Sequence, residues 1–212
     1  MRVKLIGILR DHTEWPRQMI FGAAFSGVSF SADDDLFVLE QILGGQKELF
    51  RLLVKRYEQQ VYGMGMSFFR NAEDASDFVQ EVFFKVYRSL SRFEGRSRFS
   101  TWLYKIAYNT AINNIKRSTD YHSLSEADIM SDSDTPERRV LREALREAVR
   151  EALMDLPQRF RVCVDLFFFY DCSLKEIEAI TGFPVNTVKS HVFRAKKLLR
   201  IKLEDIAQGG IN

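Results

Sequence analysis

The sequence predicts an all-α protein of two helical domains joined by an acidic flexible linker, and three observations carry that expectation. Apolar residues recur at helical spacing through residues 33–118 and again from Glu137 to about Leu203. Strand-like alternation appears nowhere. The stretch Thr119–Glu137 carries six acids and no Lys or Arg, with no hydrophobic period, as expected of a tether. A chain of 212 residues with 46% hydrophobic content is long and apolar enough to fill two such cores.

Residues 1–32 are an N-terminal extension that is the least regular part of the chain. Arg2 and Lys4 precede apolar residues, but Arg10, Asp11, His12 and Glu14 interrupt any signal-peptide core. Regular patterning begins near Asp33, and the extension is expected to be poorly ordered and dispensable. Asp33, Asp34 and Asp35 open a short helix through Leu43, where negative charge suits the helix dipole, and Gly44 and Gly45 end it. A longer helix follows to about Phe69, its stripe marked by Phe50, Leu53, Val54, Tyr57, Val61, Met64 and Phe68. Asn71–Asp74 is expected as a turn into a third helix, Asp77–Leu90, and Ser100 as the N-cap of a fourth, running to about Ser118. Residues 33–118 thus form one four-helix domain.

Beyond the linker, 119–136, a second domain spans 137–205, and 206–212 form a tail. Val140, Leu141, Leu145, Val149 and Leu153 space one helix. Pro157 begins the next, through about Tyr170, apolar nearly all round and therefore the core of its domain. Then comes a helix-turn-helix pattern. Ser173 and Glu176 are placed for a capping box, Thr181–Pro184 turn at Gly182, and a second helix runs from about Val185 to Leu203. Its inner face is Val188, Val192, Ala195 and Leu199.

Charge narrows the function. The net charge is only +2, but it is segregated: residues 77–117 have eight Lys or Arg against three acids, and Lys189, Arg194, Lys196, Lys197, Arg200 and Lys202 precede any acid in the last helix. Cys163 and Cys172 are too few for a four-ligand zinc site and read as free thiols of a reducing cytoplasm. Neither a phosphate-cradling glycine loop nor a nucleophile partnered with one of the three histidines is present, so no enzyme, cofactor or metal is expected. No apolar run approaches the ~20 residues that span a membrane, so direct membrane insertion is not expected.

Three faces remain as candidate sites. On the third helix, Asp77, Gln80, Glu81, Phe84 and Arg88 share a side opposite Phe78, Val82, Val86 and Leu90. Periodicity leaves Phe84 equally compatible with the core and with a docking patch. On the fourth, Trp102, Lys105, Asn109, Asn113 and Lys116 fall together, with Arg117 following. Cations suit phosphates, amides suit base edges and aromatics stack on bases, although a lone tryptophan is more often core. On the last helix Lys189, Ser190, His191, Phe193, Arg194 and Lys197 are placed for a major groove.

The motifs EDASDFVQEVFFKVY, FEGRSRFSTWLYKIAYNTAINNIKR, LPQRFRVCVDLFFFYDCSLKEI and PVNTVKSHVFRAKKLL resemble those of extracytoplasmic-function (ECF) sigma factors of the sigma-70 family, across residues 36–203. The resemblance implies that domain 33–118 is region 2. It docks on the clamp helices of bacterial RNA polymerase core through Asp77, Gln80, Glu81 and Phe84. It also opens the minus-10 element with Phe93 and Asn109 at the flipped base, beside Lys105, Asn113, Lys116 and Arg117. Domain 137–205 is then region 4, reading the minus-35 element through Lys189, Ser190, His191, Phe193, Arg194 and Lys197. An anti-sigma factor is the natural further partner. Two residues depart from the pattern: Glu178 stands where a small alanine is usual, leaning outward or resetting the helix crossing, and Asn186 replaces a common glycine. The competing class is a helix-turn-helix regulator that does not associate with core polymerase; it accounts for 137–203 but not for the stripe from Phe93 to Lys116.

Overall fold

The computed structural model describes residues 32–118 and 149–209. The extension before residue 32, the acidic linker, the start of the helix expected from Glu137 and the last three residues lie outside that description. Among the described residues all regular structure is helical, and packing gathers it into two compact bodies. One holds 32–118 with Asp165–Val188; the other holds 149–164 with the chain from Lys189.

In the first body, α1 (Ala32–Leu43) buries Val38, Leu39 and Ile42. Asp35, which the sequence suggests only as a dipole partner, is itself buried and accepts from the Arg56 guanidinium and the Tyr57 hydroxyl. The chain then turns at Gly45, whose φ of 113° is open to glycine without strain. After a 3-10 turn, Lys47–Leu49, helix α2 (Phe50–Phe69) buries Leu53, Tyr57, Val61, Met64 and Phe68, as its period predicts. It also buries Gly65, where a Cβ would lie 2.9 Å from the Phe78 ring and 3.0 Å from the Ala75 Cα. That glycine lets α2 and the next helix approach closely.

Helix α3 (Ala72–Ser89) starts five residues earlier than expected. Asn71 is its N-cap rather than part of a turn, with the side-chain oxygen accepting from the Glu73 and Asp74 N–H groups at 2.8 and 3.3 Å. Helix α4 (Phe99–Ser118) likewise corrects the expected cap: Ser100 lies inside it, because the ring of Phe99, 2% exposed, is drawn into the core and carries the first turn with it. Leu103, Ala107, Thr110 and Ala111 form the buried face of α4.

The helix expected to run from Pro157 through Tyr170 divides. Helix α5 (Gln158–Val164) belongs to the second body, and its continuation, Asp165–Phe169, is π-helical and belongs to the first. Asp165 accepts from the Ser67 hydroxyl at 2.7 Å, and the Tyr170 hydroxyl donates to the Gln60 carbonyl at 2.8 Å while its ring stacks on Tyr104. Tertiary bonds from α2 thus outweigh the continuous i→i−4 ladder. Helix α6 (Leu174–Thr181) follows with the predicted capping box complete between Ser173 and Glu176. It packs on α4: the Thr101 hydroxyl donates to the Glu176 carboxylate at 2.9 Å, with Arg98 at 3.8 Å.

In the second body, helical residues 149–154 and α5 pack on α7 (Val185–Gly209). Val192, Ala195, Leu199 and Leu203 on α7 and Phe160, Val162, Cys163 and Val164 on α5 supply its apolar core. Buried Arg161 donates to the Met154 carbonyl at 2.7 Å.

Candidate nucleic-acid interface

The exposed side of α4 is the row that its period predicts. Lys105, Asn109, Asn113 and Lys116 all face solvent, two amides flanked by two cations along some three turns; the Arg117 side chain lies outside the description. Trp102, at the upper end, is only half-exposed. Its indole lies 5.3 Å from the Phe93 ring and 5.9 Å from that of Phe99, and Phe93 meets Phe99 edge-on at 5.8 Å. Phe93 is half-buried, so the loop bearing Gly95, Arg96 and Arg98 is anchored to α4 by aromatic contact rather than projecting freely.

On α3, Asp77, Gln80 and Phe84 are exposed, and the open choice for Phe84 resolves outward: 60% of it is accessible, with the Arg88 guanidinium 5.5 Å from the ring centre. Tyr87, one turn along, is also exposed and touches Phe50 at 5.0 Å. Tyr87 is not among the residues the sequence singles out, although i+3 spacing from Phe84 marks the same patch. Glu81 differs from its neighbours. One carboxylate oxygen accepts from Lys85 at 2.7 Å and the other from the Asn114 amide at 2.7 Å, so it ties α3 to α4.

On α7, Lys189, Ser190, Phe193, Arg194 and Lys197 are exposed, and Phe193 is 71% accessible, a conspicuous exposure for a large apolar ring. His191 corrects the expectation. It is buried, its Nδ1 3.7 Å from the Cys163 Sγ and its ring 5.1 Å from that of Phe160, so it packs α7 on α5 instead of facing a groove. Burial first, then the Arg159 and Arg194 guanidiniums, lower its pKa from the ordinary 6.5, favouring the neutral ring.

Both cysteines are free and buried, and burial, followed by the Glu176 and Asp171 carboxylates, pushes the Cys172 thiol up to about 12. A thiol held protonated is inert as nucleophile and ligand. Among the described residues there is no cluster of metal-ligating side chains, and no helix is long and apolar enough to cross a membrane.

Residues 53–120 match the sigma-70 region 2 family and residues 146–199 match sigma-70 region 4, so all three faces fall inside recognised halves of one architecture. The RNA polymerase sigma-H factor of Pseudomonas aeruginosa is 33% identical over 82% of this chain and 96% of its own. The chain belongs to the sigma-70 family. Its ECF character is carried by similarity to the ECF RNA polymerase sigma-E factor of Escherichia coli K12, 34% identical over 81% of this chain and 95% of that one. The same two-region fold occurs in the sigma factor RpoE of Bartonella quintana, solved with the anti-sigma factor NepR: TM-score 0.59, 22% identity, 74% of this chain and 96% of that one. In this ECF sigma factor the residues matched to region 4 do not all share one compact body, since Asp165–Val188 pack with the region 2 helices.

Proposed function

We propose that this sigma factor binds bacterial RNA polymerase core, directs it to promoters by reading minus-35 and minus-10 elements, and assists melting of the latter. The observation that carries this reading is the exposed Lys105–Asn109–Asn113–Lys116 row on a region 2 helix, in one chain with the exposed Lys189, Ser190, Phe193, Arg194 and Lys197 on a region 4 helix. A helix-turn-helix regulator has no use for the first row.

The α4 row offers cations to phosphates and amides to base edges, and the Phe93–Trp102 aromatic pair borders it. Extruding a base costs a few kcal/mol, which a complementary surface offsets, so melting needs no nucleotide hydrolysis by this chain. The chemistry of RNA synthesis belongs to the polymerase. On α7 the first turns meet base edges in a major groove and the later cations meet phosphates. Asp77, Gln80 and Phe84, with Tyr87 beside them, form the α3 surface for core polymerase. Glu81 supports that surface by fixing α3 on α4. The protein works in the cytoplasm, and an anti-sigma factor restrains it.

Reconstituted transcription tests the proposal. Purified protein is added to sigma-free core on a template carrying the promoter of its own operon. Initiation that depends on the protein, lost when either element is mutated, is the expected result. Silence together with failure to bind core overturns it.

A further inference from the structure

We infer that Glu178 is a positioning residue for minus-35 recognition: its carboxylate caps the recognition helix α7 from the neighbouring helix α6 and fixes the direction in which the first turns of α7 meet DNA. This rests on the proposed minus-35 reading. Three observations support it. Pro184 precedes α7, and its carbonyl accepts the Val188 N–H at 3.0 Å, which makes it the N-cap; yet proline has no side-chain oxygen to satisfy the N–H groups that follow. The Glu178 Oε1 supplies that acceptor to the Val185 N–H at 3.1 Å. The backbone carbonyl of the same Glu178 accepts from the Gly182 N–H at 2.8 Å, closing α6. One residue therefore holds both sides of the turn. Thr181 stiffens what lies between, donating to the Ile177 carbonyl at 2.7 Å and accepting from the Phe183 N–H at 3.2 Å.

The carboxylate has a second effect. A helix N-terminus attracts phosphate, and here an acid of the protein already occupies the first N–H. Backbone phosphate is turned away from that point, so α7 is held to the register set by its side chains. Alanine at 178 frees the N–H for phosphate in any register and leaves the first turn of α7 without its side-chain acceptor. Sequence-independent affinity rises and discrimination falls.

The test uses full-length protein in holoenzyme, on duplexes that wild-type holoenzyme enriches from a library randomised at the minus-35 element. Affinity for the enriched duplex is divided by affinity for a scrambled one. Glu178→Ala is expected to lower that ratio about tenfold, with core binding unchanged, and Glu178→Gln, whose amide oxygen still accepts, to restore it. Glu178→Asp keeps charge and helix but is one methylene too short, and it should also lose discrimination, which covers the case of an unstable alanine variant. Wild-type discrimination in the aspartate variant, or in a folded alanine variant, overturns the inference. Failure of wild-type holoenzyme to enrich any minus-35 sequence overturns the minus-35 reading itself, and the role of Glu178 with it.

Discussion

His191 and Phe193 stand two positions apart on α7, and the helical period sends them to opposite sides: one is buried against Cys163 and Phe160, the other 71% exposed. Their roles divide accordingly. Because burial lowers the His191 pKa below 6.5, the unfolded chain takes up that proton first as pH falls. Its contribution to stability is complete above about pH 6.5 and declines as the pH drops through 6.5 toward the folded value. Urea midpoints at about pH 7.5 and 5.5 should show this decline in the wild type, and less of it in His191→Phe. Exposed Lys189 and Arg194 should behave differently. Replacing either with alanine is expected to weaken promoter binding by ~1–3 kcal/mol where a base edge is lost, or to reduce the salt slope by about 1 where a phosphate is lost. Association with core polymerase, measured by co-purification, should be unchanged in both.

Among the helices, those with a clean apolar stripe were legible from sequence, and their ends were less so. In α2 the buried Leu53, Tyr57, Val61 and Met64 follow the predicted stripe, because burial of one face dominates the choice of structure. Asn71 shows the opposite case: the cap and its acidic neighbours Glu73 and Asp74 were present in the sequence, but the same residues also describe a turn. The hydroxyl of Ser100 suggested a cap, and the burial of Phe99 moved the boundary. The π turn after Val164 had no local signal, since it is fixed by Ser67 and Gln60, a hundred residues away in the chain. Gly65 was equally silent. A β-carbon there gains ~1 kcal/mol of helix propensity but meets Phe78 and Ala75 too closely. Gly65→Ala should therefore be destabilised, by ~1–2 kcal/mol net in urea unfolding, whereas Asn71→Ala should lose ~1 kcal/mol through its cap alone.

Across the whole molecule, the division suggested by the family regions and the division made by packing differ. Thr101 and Tyr104 on α4 are 4% and 3% exposed, and Glu176 and Tyr170 contribute to covering them. A fragment limited to residues 32–118 therefore uncovers a tyrosine face and leaves Thr101 without its acceptor. It should unfold at lower urea concentration than the same helices in the intact chain, as read by circular dichroism. Equal midpoints would mean that the Asp165–Val188 segment adds nothing to that body. The faces that bind partners were easier to find than this covered one, because exposure needs only the helical period, whereas coverage needs knowledge of which distant segment comes to rest there.

The ring contacts of Phe93 and Phe99 with Trp102 have an optical consequence. The chain has two tryptophans, Trp15 and Trp102, so replacing Trp15 with phenylalanine leaves a single indole, packed against Phe93, the side chain we propose borders the minus-10 base. Indole emission changes in colour and yield when an adjoining ring departs or water arrives. That single indole reports directly on the packing of Phe93 and Phe99 against α4, and its emission in the free protein follows any change there without an added label.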